Sequence, residues 1–323
     1  MQRRTTNDSN RKKKLKIFRN FDEADSIHNA VVTTGSFDGV HIGHKVILQR
    51  LKKLADETGG ETVLITFHPH PKKVLYPDTA GKDLYLINSQ REKIELLEKA
   101  GLDNLIIVDF TVEFSKITSV DFVKNILLNK IHARKIVIGF NHHFGYNREG
   151  DYEALRQLGI EYGFDVEEIP EQDIQNESVS STKIRKALLD GNIQKANAYL
   201  DHYYIIMGLI QEVNPRLREI GFPSFRIKIE EESKLLPPNG VYAVSVADED
   251  RTFRGMCFIK KRGRSSIDAV VDFYLFDTPE ALSGSSATVY FHKFIREEKP
   301  FHTPEEMQRQ LQIDRANVDE LIF

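Results

Sequence analysis

The chain has 323 residues, of which 40% are hydrophobic and 29% charged, with 20 Phe and a single Cys. At roughly 100–200 residues per domain this length predicts two domains, and the composition excludes disordered, collagenous and disulfide-stapled chains. Forty-five Lys plus Arg against 48 Asp plus Glu leave a formal charge of −3, which argues against a globally basic nucleic-acid binder. A lone Cys257 cannot close an intrachain disulfide, and no stretch approaches the roughly 18 apolar residues of a membrane span. The expectation is a cytoplasmic protein, with neither nucleic acid nor membrane among its partners.

The first sixteen residues, MQRRTTNDSNRKKKLK, hold seven Lys or Arg against one Asp, and the segment 1–18 reads as a basic flexible tail. From Asn29 short β-branched runs alternate with helical patterns, the order of a parallel sheet wound by crossover helices. Strands are predicted at 30–35, 61–67, 104–110, 134–140 and 164–169. Between the first two, Ile47, Leu48, Leu51, Leu54 and Ala55 recur at helical spacing until Thr58-Gly59-Gly60 stops the helix. Further helices are predicted at 90–100, 119–130 and 151–162. Ligands of open α/β sheets bind at the carboxyl ends of the strands, so the residues just after each strand carry the functional information.

After the first strand comes GSFDGVHIGH, residues 35–44. Its glycines let the backbone approach a ligand, and His41 and His44 stand three apart where a helix begins. That spacing puts both imidazoles on one helix face, beside N–H groups and a dipole end that favour phosphate. A pair of satisfied cap histidines is the plainer alternative. TFHPHPKKVL (66–75) follows the second strand and GFNHHFGYNREG (139–150) the fourth. A zinc site built from His68, His70, His142 and His143 would need spacings that this chain lacks. Aromatic residues with Asn141, Phe144 and Gly145 suit a flat polar ring, against the plainer reading of turns with solvent-facing histidines. In ESVSSTKIRKALLDG (177–191), Ser180, Ser181 and Thr182 open a helix that carries Lys183 and Arg185. Such residues serve as local caps and charges, or as a polyphosphate receptor; the accompanying His-x-Gly-His helix favours the second. With no GxGxxG and no GxxxxGK[ST], a dehydrogenase or P-loop enzyme has no support.

From Asp201 the pattern changes. Runs at 203–213, 224–230, 240–247, 252–260, 268–276 and 287–295 predict an antiparallel sheet or small barrel. His302-Thr303-Pro304-Glu305-Glu306 then supplies a cap, a Pro at the first helical position and a capping-box Glu for a closing helix.

The motifs at 35–44, 66–71 and 180–185 resemble those of the bacterial bifunctional riboflavin kinase/FMN adenylyltransferases, and the similarity runs over nearly the whole chain after residue 18. The resemblance implies an α/β Rossmann-like nucleotidyltransferase domain over 19–200 and a small antiparallel β-barrel kinase-like domain with a C-terminal helix over 201–323. It implies transfer of AMP from ATP to the phosphate of FMN, giving FAD and diphosphate, with Mg²⁺ bridging ATP oxygens. His41 and His44 are then expected to stabilise the transferred α-phosphoryl group. Gly35, Phe37, Asp38, Gly43, Ser181, Thr182, Lys183 and Arg185 would complete the ATP site, and His70, Pro71, Asn141, His143, Phe144 and Gly145 the flavin site, with His143 where Arg is common. The second domain resembles the kinase at KLLPPNGVY (234–242) and IREEKPF (295–301), where Arg296 would contact flavin. It departs from the family where ligands are held. Val213 and Leu217 stand at glycine positions, Ser224 keeps the hydroxyl of the Mg²⁺ position, Arg226 replaces its Asn, and Asp272 stands at the position of the catalytic Glu. KKRGRSS (260–266) also lacks the expected Gly-x-x-Pro-Thr. The expectation is a kinase that is weak or inactive. Competing expectations are a fully bifunctional enzyme that also takes riboflavin, a nucleotidyltransferase for another phosphorylated acceptor, and a non-catalytic flavin or nucleotide sensor.

Overall fold

The structure is a computed structural model; it describes residues 14–24, 26–140, 142–174, 177–248, 251–276, 282 and 284–322. The chain divides into two compact units. One takes in the residues up to Phe37 with His44–Lys82 and Glu95–Glu171; the other takes in Asp38–Gly43, Asp83–Ile94 and the chain from Gln172 onward.

The first unit is built on six parallel strands: β1 (Lys16–Phe18), β2 (Val31–Thr34), β3 (Thr62–His68), β4 (Asn104–Asp109), β5 (Lys135–Gly139) and β6 (Asp165–Ile169), in the order β1-β4-β3-β2-β5-β6. The central strands are buried on both faces, which is why they read as unbroken apolar runs rather than as alternation. Helix α1 (Ile42–Thr58) buries the five residues whose spacing predicts it, Ile47, Leu48, Leu51, Leu54 and Ala55. After β3 come α2 (Pro71–Leu75) and α3 (Gln90–Lys99). The helix expected at 119–130 starts as α4 (Ser119–Asp121) and widens over Phe122–Leu128, where the Ile131 N–H reaches back to the Ile126 carbonyl at 3.0 Å. Helix α5 (Tyr152–Tyr162) is capped by Asp151, which accepts the Ala154 N–H at 2.9 Å.

The expected tail over 1–18 is corrected at its inner end. Residues 1–13 lie outside the described residues, but Leu15 is buried and Lys16–Phe18 pair in parallel with Asn104–Ile106 as the edge strand β1. Backbone groups make this pairing, including the Lys16 N–H to the Asp103 carbonyl at 2.9 Å, and backbone pairing leaves no trace in side-chain composition.

The second unit opens with a two-residue hairpin, β7 (Asp173–Ile174) and β8 (Glu177–Ser178), followed by α6 (Ser181–Leu189) and α7 (Ile193–Leu200). Six antiparallel strands then close a barrel: β9 (Tyr204–Glu212), β10 (Ser224–Ile227), β11 (Gly240–Asp248), β12 (Arg251–Lys260), β13 (Val270–Leu275) and β14 (Ser286–Arg296), in the order β10-β13-β12-β11-β14-β9. Tyr204, Tyr242, Val244, Phe273 and Phe291 share its core with Ile184, Leu188 and Leu200 of α6 and α7. Compactness therefore groups 172–200 with the barrel, whereas the sequence pattern changes at 200/201. The alternate residues Val241, Ala243, Met256 and Phe258 pack outward with Leu217 of α8 (Pro215–Glu219) and with Leu311 and Val318 of α9 (Pro304–Ile322). Helix α9 starts as the sequence predicts: Thr303 Oγ1 accepts the Glu306 N–H at 3.2 Å, and the Glu306 carboxylate accepts the His302 N–H at 2.9 Å.

Candidate active site

In the sheet unit β2 lies between β3 and β5, where the strand order reverses. Open α/β sheets bind ligands at such a switch point, and the strands that meet here lead into the three histidine-bearing loops. The Gly35 N–H donates to the Ile65 carbonyl at 3.0 Å, and the Phe37 ring stacks on the His44 imidazole with centroids 4.3 Å apart. After β3, His70 caps α2 by accepting the Lys72 N–H at Nδ1, 3.2 Å away, and Pro71 is the first helical residue. After β5, Asn141 lies outside the described residues. His142 stacks on Phe144 at 6.2 Å, and burial, with smaller contributions from His143 and Arg148, pulls its pKa down to about 4. His143 is exposed with Nδ1 3.3 Å from an Arg148 nitrogen, Phe144 packs against Phe122, and Gly145 turns tightly past Ser119.

In the second unit Asp38, Ser181 and Arg185, predicted separately as ATP contacts, come together. Asp38 is 2% exposed and its carboxylate accepts the Ile87 N–H at 3.2 Å, the Asn88 N–H at 3.1 Å and an Arg185 N–H at 2.5 Å. Arg185 Nε donates to the Tyr85 carbonyl at 2.8 Å, and Ser181 Oγ donates to the Asp38 carbonyl at 2.9 Å. Much of this trio's bonding capacity thus holds the motif loop itself. Thr182 and Lys183 are exposed on the first turn of α6, with Lys183 Nζ donating to Ser178 Oγ at 3.0 Å.

The loop so held is strained. Gly39 has φ +96°, which suits glycine, but the next residue, β-branched Val40, has φ +42°, a conformation that persists only when its surroundings fix it. His41 follows, buried, and burial pulls its pKa down to about 4; the Asp38 charge opposes this while His202 and Arg185 add to it. It is neutral at pH 7, so it serves as a hydrogen-bonding group rather than a standing cation. The Gly43 position lies under its ring: a Cβ there would sit 3.3 Å from His41 Cε1 and Nδ1.

Sequence reasoning passed over the next layer. Lys234, 1% exposed, donates Nζ–H to Glu92 Oε2 at 2.6 Å and to the Ile87 and Ile205 carbonyls at 2.6 and 3.0 Å, which anchors the segment whose N–H groups hold Asp38. His202 Nε2 lies 3.0 Å from the Gly39 carbonyl. Glu92 is legible as a capping-box partner of Ser89, but the contacts of Lys234 and His202 to backbone carbonyls have no sequence signature.

The barrel carries a second cluster. Alternation along β10, β11, β12 and β13 puts Arg226, Asp272, Phe258 and Val241 in one cross-strand row and Ser224, Tyr274, Met256 and Ala243 in the next. A cavity of about 320 Å³ is lined by Val241, Phe258, Tyr274, Arg296, Phe301 and Met307, among others. Arg226 grips Asp272 with Nε to Oδ1 at 2.6 Å and a second N–H to Oδ2 at 2.8 Å. At the other end of the row, Arg296 pairs with Asp314 of α9 through contacts of 2.6–3.1 Å. Val213 precedes a helical turn capped by Asn214, and Leu217 lies within that turn, buried in the outer core. Ser224 Oγ is buried, with no hydrogen-bond partner among the described residues. A guanidinium beside one hydroxyl, with the nearest carboxylate already engaged on both oxygens, does not fit a divalent cation, which needs several oxygen ligands.

A parallel α/β domain with phosphate-suited loops at its switch point, followed by a closed barrel with an apolar cavity, defines a two-domain nucleotide-handling protein of nucleotidyltransferase type. The comparisons agree. The FAD synthetase family pattern matches residues 23–183 and the riboflavin kinase pattern residues 200–322. The chain is 32% identical to the bifunctional riboflavin kinase/FMN adenylyltransferase of Listeria monocytogenes, over 90% of this chain and 91% of that one. It is 30% identical to the Escherichia coli protein of the same description, over 90% and 92%. Among solved structures, a Streptococcus pneumoniae protein described as a macrolide-efflux protein superposes with TM-score 0.81 at 27% identity, over 94% of this chain and 98% of that one. No helix among the described residues is long and apolar enough to cross a membrane. The chain belongs to the bifunctional riboflavin kinase/FMN adenylyltransferase family.

Proposed function

We propose that this chain is an FMN adenylyltransferase whose kinase-like barrel phosphorylates riboflavin weakly or not at all, with the functional division at residue 200/201. An oxygen of the FMN phosphate attacks the α-phosphorus of ATP, the bond to the β-phosphate bridging oxygen breaks, and FAD and diphosphate leave. Mg²⁺ enters with ATP as part of the substrate. No covalent enzyme intermediate is needed, so the protein's work is alignment and stabilisation of charge on the α-phosphoryl group. His41 and His44 would supply that stabilisation, and the exposed first turn of α6 would meet the diphosphate end. The observation that carries the reading is the loop framework centred on Asp38, which holds the His-x-Gly-His segment through three acceptor contacts.

For the barrel, the carrying observation is the two-pronged pair of Arg226 with Asp272, since an acid with both oxygens engaged cannot readily take a proton from a substrate hydroxyl. The flavin-sized cavity favours retention of flavin binding there. The test is a paired product assay with ATP and Mg²⁺, one tube given riboflavin and the other FMN. FAD from FMN with no product from riboflavin supports the reading, FMN or FAD from riboflavin restores the bifunctional enzyme, and no product in either tube favours a sensor. Replacing both His41 and His44 by Ala separates catalyst from sensor, because only a catalyst loses turnover by orders of magnitude while keeping its fold.

A further inference from the structure

Among the groups that the proposed chemistry leaves unused, His202 is placed to act on the reaction loop. It stands just after α7, beyond Asp201 in the left-handed region at φ +56°, where the chain turns into β9. Its two ring nitrogens both face backbone carbonyls: Nε2 is 3.0 Å from the Gly39 oxygen and Nδ1 is 2.7 Å from the Tyr203 oxygen. A carbonyl only accepts, and a neutral imidazole carries one N–H, so the two contacts can be hydrogen bonds together only when the ring is an imidazolium.

The contact at Nε2 falls on the strained part of the loop. Two successive carbonyls of the motif are each held by a side chain from a distant segment, Asp38 by Ser181 at 2.9 Å and Gly39 by His202 at 3.0 Å, immediately before Val40 at φ +42° and His41. We propose that His202 is a positioning residue for adenylyl transfer: as an imidazolium it pins the Gly39 carbonyl and so fixes where the Val40 turn presents His41. Deprotonation replaces one N–H···O contact by a lone pair facing a lone pair and loosens the turn. Asp38, Arg185 and His202 itself are the charged and titratable groups that act on His41; Asp201 precedes His202 in the chain, and His292 contacts the ring of the adjacent Tyr203 at 4.3 Å. The inference rests on the adenylyl-transfer reading, which conversion of FMN to FAD by the unaltered chain tests first and separately.

The experiment has two arms on the full-length protein. In the first, the ring nitrogens of the ¹⁵N-labelled chain are observed by NMR at pH 7, with the His202 signals assigned by their absence from the His202→Arg variant. Both nitrogens protonated is the expected result, and a single protonated nitrogen overturns the proposal. In the second, kcat and KM for FAD formation are followed against pH for the unaltered chain, His202→Gln and His202→Arg. The expected result is a fall in kcat as pH rises through the ionisation of His202 in the unaltered chain. His202→Gln should show a loss of about tenfold in kcat at pH 7. His202→Arg, which keeps several donors at every pH, should come within about twofold of the unaltered chain and lack the alkaline fall. An unchanged kcat in His202→Gln, or a His202→Arg variant no better than His202→Gln, overturns the proposal. Where a variant fails to fold, its missing activity is set aside and the NMR result on the unaltered chain decides.

Discussion

Two of the molecule's aspartate–arginine pairs lie among the candidate site residues, and on the proposed function they would have opposite consequences. Arg185 meets Asp38 at 2.5 Å with side chains 15% and 2% exposed, and Arg226 meets Asp272 at 2.6 Å with 47% and 10%. Asp38 also accepts two backbone N–H groups, so it acts as framework. Asp272 stands where the resemblance places a proton acceptor, so the same kind of pairing there occupies the group that would react. Whether an ion pair supports or silences a site depends on whether its acid is scaffold or reactant, and that is decided by what else the carboxylate holds.

The largest expected effect is on the scaffold pair. Asp38→Ala strands a mostly buried guanidinium and two backbone N–H groups, so unfolding free energy should drop by about 3 kcal/mol. FAD formation from FMN should fall by at least about 100-fold as the His41 loop loses its anchor. Denaturant unfolding and the product assay together read this out. An Asp38→Ala chain as stable as the unaltered one would remove the distinction between the two pairs.

Next in size is the reverse change in the barrel. The Arg226 guanidinium is nearly half exposed, and pairs with that exposure contribute about 1 kcal/mol or less. Arg226→Asn should therefore leave the thermal midpoint nearly unchanged while raising the rate of FMN formation from riboflavin at least about tenfold. If phosphorylation stays absent in Arg226→Asn but appears in the double variant Arg226→Asn with Asp272→Glu, reach rather than pairing limits the acid. Silence in both variants would place the defect in the α8 turn, where the resemblance puts a glycine at the position of Leu217.

The sequence disclosed the five strands β2–β6 of the sheet, the six barrel strands, the five buried residues of α1 and the closing cap at Thr303, because hydrophobic period and capping chemistry are written in side-chain types. It also disclosed Asp38, Ser181, Arg185, Arg226 and Asp272 one at a time. What it did not disclose is who meets whom: Arg226 and Asp272 are 46 positions apart and become neighbours only through the register of β10 on β13. The edge strand β1 and the contacts of Lys234 and His202 to main-chain carbonyls were illegible for a different reason, since each depends on backbone oxygens or N–H groups that every residue carries.

The smallest expected effect concerns acid, and it compares one histidine from each unit whose pKa burial lowers to about 4. His41 in the second unit and His142 in the first are both lowered from 6.5 to about 4, with desolvation the leading cause in each. Between those values the unfolded chain binds protons at these positions that the folded chain does not, so stability rises with pH there and is lost as pH falls from 6.5 toward 4. The thermal midpoint should accordingly drop between pH 7 and pH 5. In His142→Phe, which keeps a ring to stack on Phe144 but removes the titrating group, that drop should shrink by the share belonging to the first unit. His41 contributes part of the remainder, with His292, which burial also lowers, and because Asp38 works against the desolvation of His41, the scaffold carboxylate also sets how much acid the loop withstands. An identical drop in His142→Phe and the unaltered chain would mean that His142 titrates in the folded protein as it does in the unfolded one, and that its place beneath the Phe144 ring is open to water.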